Sequence, residues 1–523
     1  MRYLLNVLNA LRRRSFPGAN ATDAIGRATA PDNAQAWYDK GNALRAAAQP
    51  EPATACYRRA LELEPRHDDA RFNLATTLLA LERPAEAEVL LRPLAAQPTP
   101  AVDVLQNLAI ALARQERYAE AEPCLSAALA RGAPSVALFR DLALVLHRLS
   151  RNAEASAMLE RALTLAPGNA QLHAELGELR YQRGEFARAR GQFEQALARE
   201  PGNRDALIGI GRIELLHGNI RAGWAGYRSI MRDALVAQNA GLALEHALPA
   251  DLTGKTVLLL GEQGIGDELT FLRYVPALTR RGATVYYRAE SGIGALLHLR
   301  NTGIARVYAL NEQALPRCDC TLLSGDLPLA LATNEIPPAL PLAAQPQRVA
   351  AMRVRLTALG APPYIGLTWR AGSATDATHT ARLPLPLFKQ IVLPQFAAAV
   401  QPVPGTLLAL QRQPEPGEIA QLAALSQRPV HDFAAANEDL EDMLALLAAL
   451  DDYVGVSNTN MHLMASLGKT ARVLMPCPPD WRWLAGGKES PWFPGFAIYR
   501  QNGDGDWGAA LQELQRDLMS KGN

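Results

Sequence analysis

Residues 34–65 read AQAWYDKGNALRAAAQPEPATACYRRALELEP, and the phase of large, small and apolar residues in this stretch decides the first half of the chain. With Ala34 as the first position, Trp37, Gly41, Leu44, Ala53, Tyr57 and Ala60 alternate large and small residues, and Pro65 closes the unit. The phase returns every 34 residues, as Leu74, Ala75, Leu78, Ala87 and Leu91, and then as Leu108, Ala109, Leu112, Ala121, Leu125 and Ala128. It continues as Phe139, Leu142, Ala143, Leu146, Ala155, Leu159, Ala162 and Pro167, and as Leu176, Gly177, Ala189, Phe193, Ala196 and Pro201. A looser copy holds Gly211, Tyr227 and Ile230. Such a period predicts helix pairs, in which small residues let one helix lie on its partner and a proline ends the second helix. One pair cannot bury its apolar face alone, so stacked copies build an α superhelix with a concave groove.

The pattern resembles the tetratricopeptide repeat, with about five copies and one degenerate copy over residues 34–233. The resemblance implies a groove that binds a partner protein or an extended peptide. The plainer alternative is a solenoid that only scaffolds or dimerises the chain. No ladder of groove-facing Asn or Arg stands out in the sequence.

At 523 residues the chain has room for about three domains. The hydrophobic share of 49% suits packed cores, and a net charge of +1 supplies no basic field for nucleic acid, which is not expected as a partner. Five scattered cysteines fit a reducing compartment better than a disulfide framework. Cys318 and Cys320 have no second Cys or His cluster nearby, so no metal site is expected. The segment 1–33, beginning MRYLLNVLNALRRRSF, has its arginines after a short apolar run, which fits a signal peptide poorly. A docking amphipathic helix and a weak interfacial contact with a membrane are the two readings. No run approaches the ~18 apolar residues of a transmembrane span. A cytoplasmic placement follows, with peripheral contact at an inner membrane as the variant.

After about Arg232 the period ends, residues 234–250 form a linker, and strand-like runs alternate with helical ones. Val257 to Leu260, Thr284 to Arg288, Arg306 to Leu310 and Thr321 to Leu323 read as strands, with helices around Leu269 to Arg280 and Ile293 to Arg300. A Pro-rich linker from Ile336 to Pro346 leads to a second set. Its strands are Tyr364 to Trp369, Thr406 to Gln411, Tyr453 to Ser457 and Ala471 to Met475. Its helices lie near Leu387 to Ala399, Glu418 to Leu425, Leu440 to Leu450 and Met461 to Leu467, and a last helix covers about Asp506 to Met519. This alternation predicts two Rossmann-like lobes with parallel sheets, 251–346 and 347–523, that bind ligands at their carboxyl edges.

Three loops carry chemistry. GEQGIGDELTFLRYVP, from Gly261, puts Gly264, Gly266, Asp267 and Glu268 in a strand-to-helix turn with backbone donors and the positive helix end. Its GxxGxG spacing matches neither the dinucleotide fingerprint nor a P-loop, and the plain reading is a tight turn whose aspartate serves the helix end. The loop after Trp369 holds Arg370, Ser373, Thr375, His379 and Arg382. In YVGVSNTNMHL, Ser457, Asn458 and Thr459 collect donors at a helix start, a good place for a diphosphate, while His462 reads equally as a packed core histidine. The aromatic segment Trp481, Trp483, Trp492 and Phe493 reads as a stacking platform or as a hydrophobic clamp on the C-terminal tail.

In order and spacing, GEQGIGDELTFLRYVP, GLTWRAGS, VGVSNTNMHLMASLG and PPDWRWLAGGKESPWFPGFAIYRQNGDGDW resemble the heptosyltransferase-like glycosyltransferases of family 9, in the form fused to tetratricopeptide repeats in bacteria. The resemblance covers the chain from about Leu252 onward and implies an α/β GT-B fold. It also implies an acceptor-side first lobe, a nucleotide-sugar-binding second lobe, and inverting transfer with no metal or other cofactor. By the same resemblance Asp267 is the base, beside the acceptor-side loop Gly264, Gly266 and Glu268. Arg370, Arg382, Ser457, Asn458, Thr459 and His462 then hold the donor diphosphate. The family's donor-site aspartate is Asn458 here, and one residue fewer precedes the histidine. The resulting expectation is a glycosyltransferase acting from a nucleotide sugar on a protein or cell-envelope glycan that the repeats recruit. The rival is a non-catalytic interaction scaffold with a degenerate transferase-like module.

Overall fold

The computed structural model describes residues 33–228, 239, 241–245, 247–262, 264–294, 296, 302–312, 315–371 and 389–520. The N-terminal segment up to residue 32, most of the helix expected at Ile293 to Arg300, and Ser373, Thr375, His379 and Arg382 lie outside them. The chain forms two compact units, divided between Leu179 and Arg180.

In the first unit the repeats appear as helix pairs. They are α1 (Ala34–Ala46) with α2 (Pro50–Leu63), α3 (Asp68–Ala80) with α4 (Pro84–Ala95), α5 (Val102–Arg114) with α6 (Tyr118–Arg131), and α7 (Val136–Arg148) with α8 (Asn152–Leu165). Helix α9 (Ala170–Gln182) carries the unit boundary. The Asn33 side chain accepts from Ala36 N at 2.8 Å and caps the first helix. Gly41 is required where it stands, because a Cβ there would lie 2.6 Å from the Tyr57 ring.

The turn inside each pair is the same device repeated. Ala48, Glu82, Glu116 and Ser150 all adopt positive φ, between 56° and 62°, one period apart. The next residue's N–H returns to the helix, from Gln49 to Leu44 O at 2.9 Å and from Arg83 to Leu78 O at 2.9 Å. This is the left-handed helix stop that favours glycine. Ala48 is exposed and loses nothing by substitution, so Ala48→Gly should stabilise the unit by about 0.5–1 kcal/mol in urea unfolding.

The surface ion pairs repeat too, as Arg83–Glu86 at 2.6 Å, Arg117–Glu120 at 2.7 Å and Arg151–Glu154 at 2.6 Å. Exposed pairs of this kind contribute about 0–1 kcal/mol each. Leu91, Leu125 and Leu159, buried in one phase, contribute about 1.5–3 kcal/mol each and hold the stack. On the first helices of successive pairs there is a polar ladder that the sequence reading lacked. Asn73 Nδ2 donates to Asn42 Oδ1 at 2.9 Å, Gln106 Nε2 to Asp141 Oδ2 at 2.5 Å, and Arg140 Nε to Glu175 Oε2 at 3.0 Å.

The second unit opens with α10 (Phe186–Arg199) and a sixth pair, α11 (Arg204–Leu216) and α12 (Ile220–Arg228). A four-stranded parallel sheet follows in the order β3-β2-β1-β4, from β1 (Thr256–Leu260), β2 (Thr284–Arg288), β3 (Ile304–Tyr308) and β4 (Cys320–Leu323). After β1 come α13 (Ile265–Leu272) and α14 (Val275–Arg280), and after β4 a short α15 (Leu327–Ala330). The sequence suggested one helix across Leu269 to Arg280. Pro276 in the first turn of α14 breaks it, since proline has no N–H to donate and clashes with the carbonyl four residues back.

Helix α16 (Pro346–Thr357) leads into a six-stranded parallel sheet in the order β10-β9-β8-β5-β6-β7. Its strands are β5 (Tyr364–Thr368), β6 (Thr406–Ala409), β7 (Val430–Asp432), β8 (Asp452–Val456), β9 (Arg472–Met475) and β10 (Ala497–Arg500). The helices are α17 (Leu393–Val400), α18 (Glu418–Ser426), α19 (Leu440–Ala449), α20 (Thr459–Ser466) and α21 (Gly508–Ser520). Ile365, Leu367, Trp369, Phe396, Val454 and Leu474 form the core on one face of this sheet. Among the described residues no helix is long and apolar enough to cross a membrane.

Candidate functional site

Parallel sheets take ligands where the chain order reverses, outside the carboxyl ends of the strands. In the first sheet this point lies between β1 and β4, and in the second between β5 and β8. The chain fills both with its own side chains.

At the first point, Arg228 from the end of α12 is 3% exposed and lies between two acids. Its Nη1 donates to Glu262 Oε2 at 2.8 Å, and its Nε to Asp326 Oδ1 at 2.9 Å. Trp224, one turn earlier, donates from Nε1 to Gly325 O at 2.5 Å. Burial and the nearby Asp326 push the Glu262 carboxyl up, and Arg228 pulls it back only in part. Trp224 also meets Phe271 edge-on at 5.6 Å and Trp481 at 5.1 Å, and Trp481 meets Trp492 at 4.9 Å. The aromatic segment is therefore a clamp, but it grips the sixth helix pair and the first sheet's helix as well as its own sheet.

At the second point, Asn458 caps α20 by accepting from Asn460 N at 3.0 Å. Its Nδ2 donates to Thr368 Oγ1 at 3.0 Å and to Tyr453 OH at 3.0 Å. Ser457 is buried and accepts from Trp483 Nε1 at 2.8 Å, while Trp483 stacks on Phe493 at 4.2 Å. Thr459 opens α20 half-buried. Arg370 lies against Glu418 at 3.1 Å and donates to Gln413 O at 2.9 Å.

Between the sheets, the turn after β1 touches helix α20. A side chain at Gly266 would meet the His462 ring at 3.1 Å. His462 is 7% exposed and its Nδ1 is 3.4 Å from Thr270 Oγ1. Burial first, then the charges of Arg482 and Arg273, push its pKa well below the usual histidine value, so it stays neutral. Arg482 joins the two sides: its Nη2 donates to Asp267 Oδ1, its Nε to Thr270 Oγ1 at 3.1 Å and its Nη1 to Asp480 Oδ2 at 3.2 Å. Lys389 Nζ reaches Asp480 Oδ2 at 3.2 Å. Burial alone would raise the Asp480 carboxyl, but Arg482 and Lys389 hold it well below the usual range.

The sequence-picked residues thus divide. Gly266, Asp267 and His462 come together, and Ser457, Asn458 and Thr459 stand at the second switch point. Gly264 caps α13 and is exposed. Glu268 turns into its own lobe, where it accepts from Tyr287 OH, Ser291 Oγ and Glu290 N. Arg228, Arg482 and Asp480 were missed as site residues. Arg482 was visible only as a cation in an aromatic segment. Among the described residues no group of three or more His, Cys, Asp or Glu gathers as a metal cluster.

The tetratricopeptide-repeat family matches residues 34–67, 56–89, 107–170 and 175–221. The array is a tetratricopeptide-repeat array. The protein FlbA of Caulobacter vibrioides is 26% identical over 321 residues, which is 56% of this chain and 52% of FlbA. The match therefore spans about half of that relative. PilF of Pseudomonas aeruginosa is 23% identical over 40% of this chain and 96% of its own, with a TM-score of 0.33. A thermophilic tetratricopeptide protein of Thermus thermophilus is 25% identical over 33% of this chain and 94% of its own, with a TM-score of 0.27.

Proposed function

We propose that the chain is an interaction protein whose tetratricopeptide groove holds a segment of a partner protein, and whose two-sheet region is a non-catalytic module anchoring the end of the array. The observation that carries this reading is the filling of both switch points by the chain's own groups, Arg228 and Trp224 at one, Asn458, Thr368 and Tyr453 at the other. A ligand at the first point would have to displace buried hydrogen bonds, and at the second part-buried ones, each costly to leave unmade.

One observation favours a second reading, inverting sugar transfer from a nucleotide sugar by a GT-B pair of lobes. Asp267 stands where the two sheets' loops meet, 28% of its side chain exposed and with the Arg482 cation beside it. This reading makes Asp267 the base that takes a proton from an acceptor hydroxyl.

Peptides selected against the full chain from a random display library decide between them. A selected peptide should bind with a Kd of about micromolar order. Release of a nucleoside diphosphate from any nucleotide sugar, lost in Asp267→Asn, would overturn the interaction reading in favour of transfer.

A further inference from the structure

A depression of about 970 Å³ lies between the α13–α14 face and the linker from Leu331 to Pro341, away from both switch points. One wall carries Arg273, Arg280 and Arg281. The other wall is Leu331, Ile336, Leu340 and the prolines of the linker. Its one acid is Glu335, which is exposed. The exposed Arg280 and the half-buried Arg281, with Arg273 buried behind them, stand across from one carboxylate.

Arg273 is the telling group. It is 3% exposed, donates from Nη1 to Trp492 O at 2.8 Å, and lies over the Trp492 and Phe493 rings at 5.7 and 5.4 Å. Its Nε is buried with no hydrogen-bond partner. Among the described residues no carboxylate stands within ion-pair distance of Arg273, Arg280 or Arg281. Burial, with the Arg482 charge adding to it, pushes the Arg273 pKa down to about 10, so the group is charged at neutral pH and uncompensated. A buried charge ordinarily has a partner of opposite sign.

We infer that this depression is a binding site for a small organic phosphate, its phosphate held by Arg280 and Arg281 with the buried Arg273 charge behind them, and its apolar body set against the Pro-rich linker. The planar guanidinium fork matches a phosphate in two parallel hydrogen bonds. The volume lies within the range of small-molecule sites, about 300–1,000 Å³.

The test is calorimetric titration of the full chain with inorganic phosphate, pyrophosphate and phenyl phosphate. Phenyl phosphate should bind more tightly than inorganic phosphate, with a Kd below about 1 mM that rises with salt. If pyrophosphate binds and phenyl phosphate does not, the apolar wall plays no part and the organic-phosphate assignment is overturned. The double variant Arg280→Ala with Arg281→Ala, on side chains outside the core, should melt like the parent and bind about tenfold more weakly or worse. No saturable heat with any probe up to about 10 mM would refute the site. So would binding that survives the double variant, or binding lost in Asp267→Asn and kept in the double variant, which would place the anion between the sheets instead.

Discussion

Arg228→Met should destabilise the second unit by about 3–5 kcal/mol, because it leaves Glu262 and Asp326 buried together with no cation. Methionine replaces most of the volume, so the loss reads the charge and not a cavity. The effect should depend on pH with a definite sign. Glu262 already has a folded-state pKa above the ordinary value, and losing Arg228 removes the main influence that lowers it. A carboxyl with a raised folded pKa contributes stability below its unfolded pKa and loses it as pH rises through the folded one. The variant should therefore be closest to the parent near about pH 4.5 and furthest from it near about pH 7.5, in urea unfolding at each. A uniform loss across that range would show that Glu262 does not sense Arg228.

That prediction rests on a residue the sequence did not mark, and the reason is general. Features repeated along the chain were legible: Leu74, Leu108 and Leu142 lie one period apart and become one buried column. The first strands were legible because Val257 to Leu260 and Thr284 to Arg288 are apolar or β-branched runs beside turn residues. Pro276 was legible as a breaker, and ignoring it joined two helices. Other elements carried too little pattern. Val430–Asp432 has three residues, and Ala497–Arg500 lies at the edge of its sheet without alternation.

Pairings between distant residues were not legible at all. Asn42 meets Asn73, Arg370 meets Glu418 and Arg228 meets Glu262 only after the chain has folded, and no local spacing announces them. The same holds at the candidate site. Asn458 stands out in the sequence as a missing acid, yet in the fold its amide nitrogen donates to two hydroxyls that an aspartate could only accept from. Its identity there follows from the network around it.

Arg482→Met should cost the second unit about 3–5 kcal/mol, whereas Asp267→Asn should cost less than about 1 kcal/mol. The contrast follows from where each stands. Arg482 has 8% of its side chain exposed and serves Asp267, Thr270 and Asp480 together, so removing it leaves Asp480 with Lys389 alone. Asp267 is 28% exposed, and asparagine keeps an oxygen for Arg482 to donate to. The sign of the pH dependence again follows from the folded state. Asp480 is held below the ordinary carboxylate range, so it contributes stability above its unfolded pKa that is lost as pH falls through the folded one. Without Arg482 that contribution shrinks, and the gap between parent and variant should be widest at neutral pH and narrow below about pH 4. Equal losses from Arg482→Met and Asp267→Asn would mean that the Asp267 ion pair itself binds the two sheets, leaving that carboxylate no freedom to act on a hydroxyl. A small loss from Asp267→Asn beside a large one from Arg482→Met would mean that Arg482 acts mainly by balancing the buried Asp480 within its own segment, with Asp267 only resting against it.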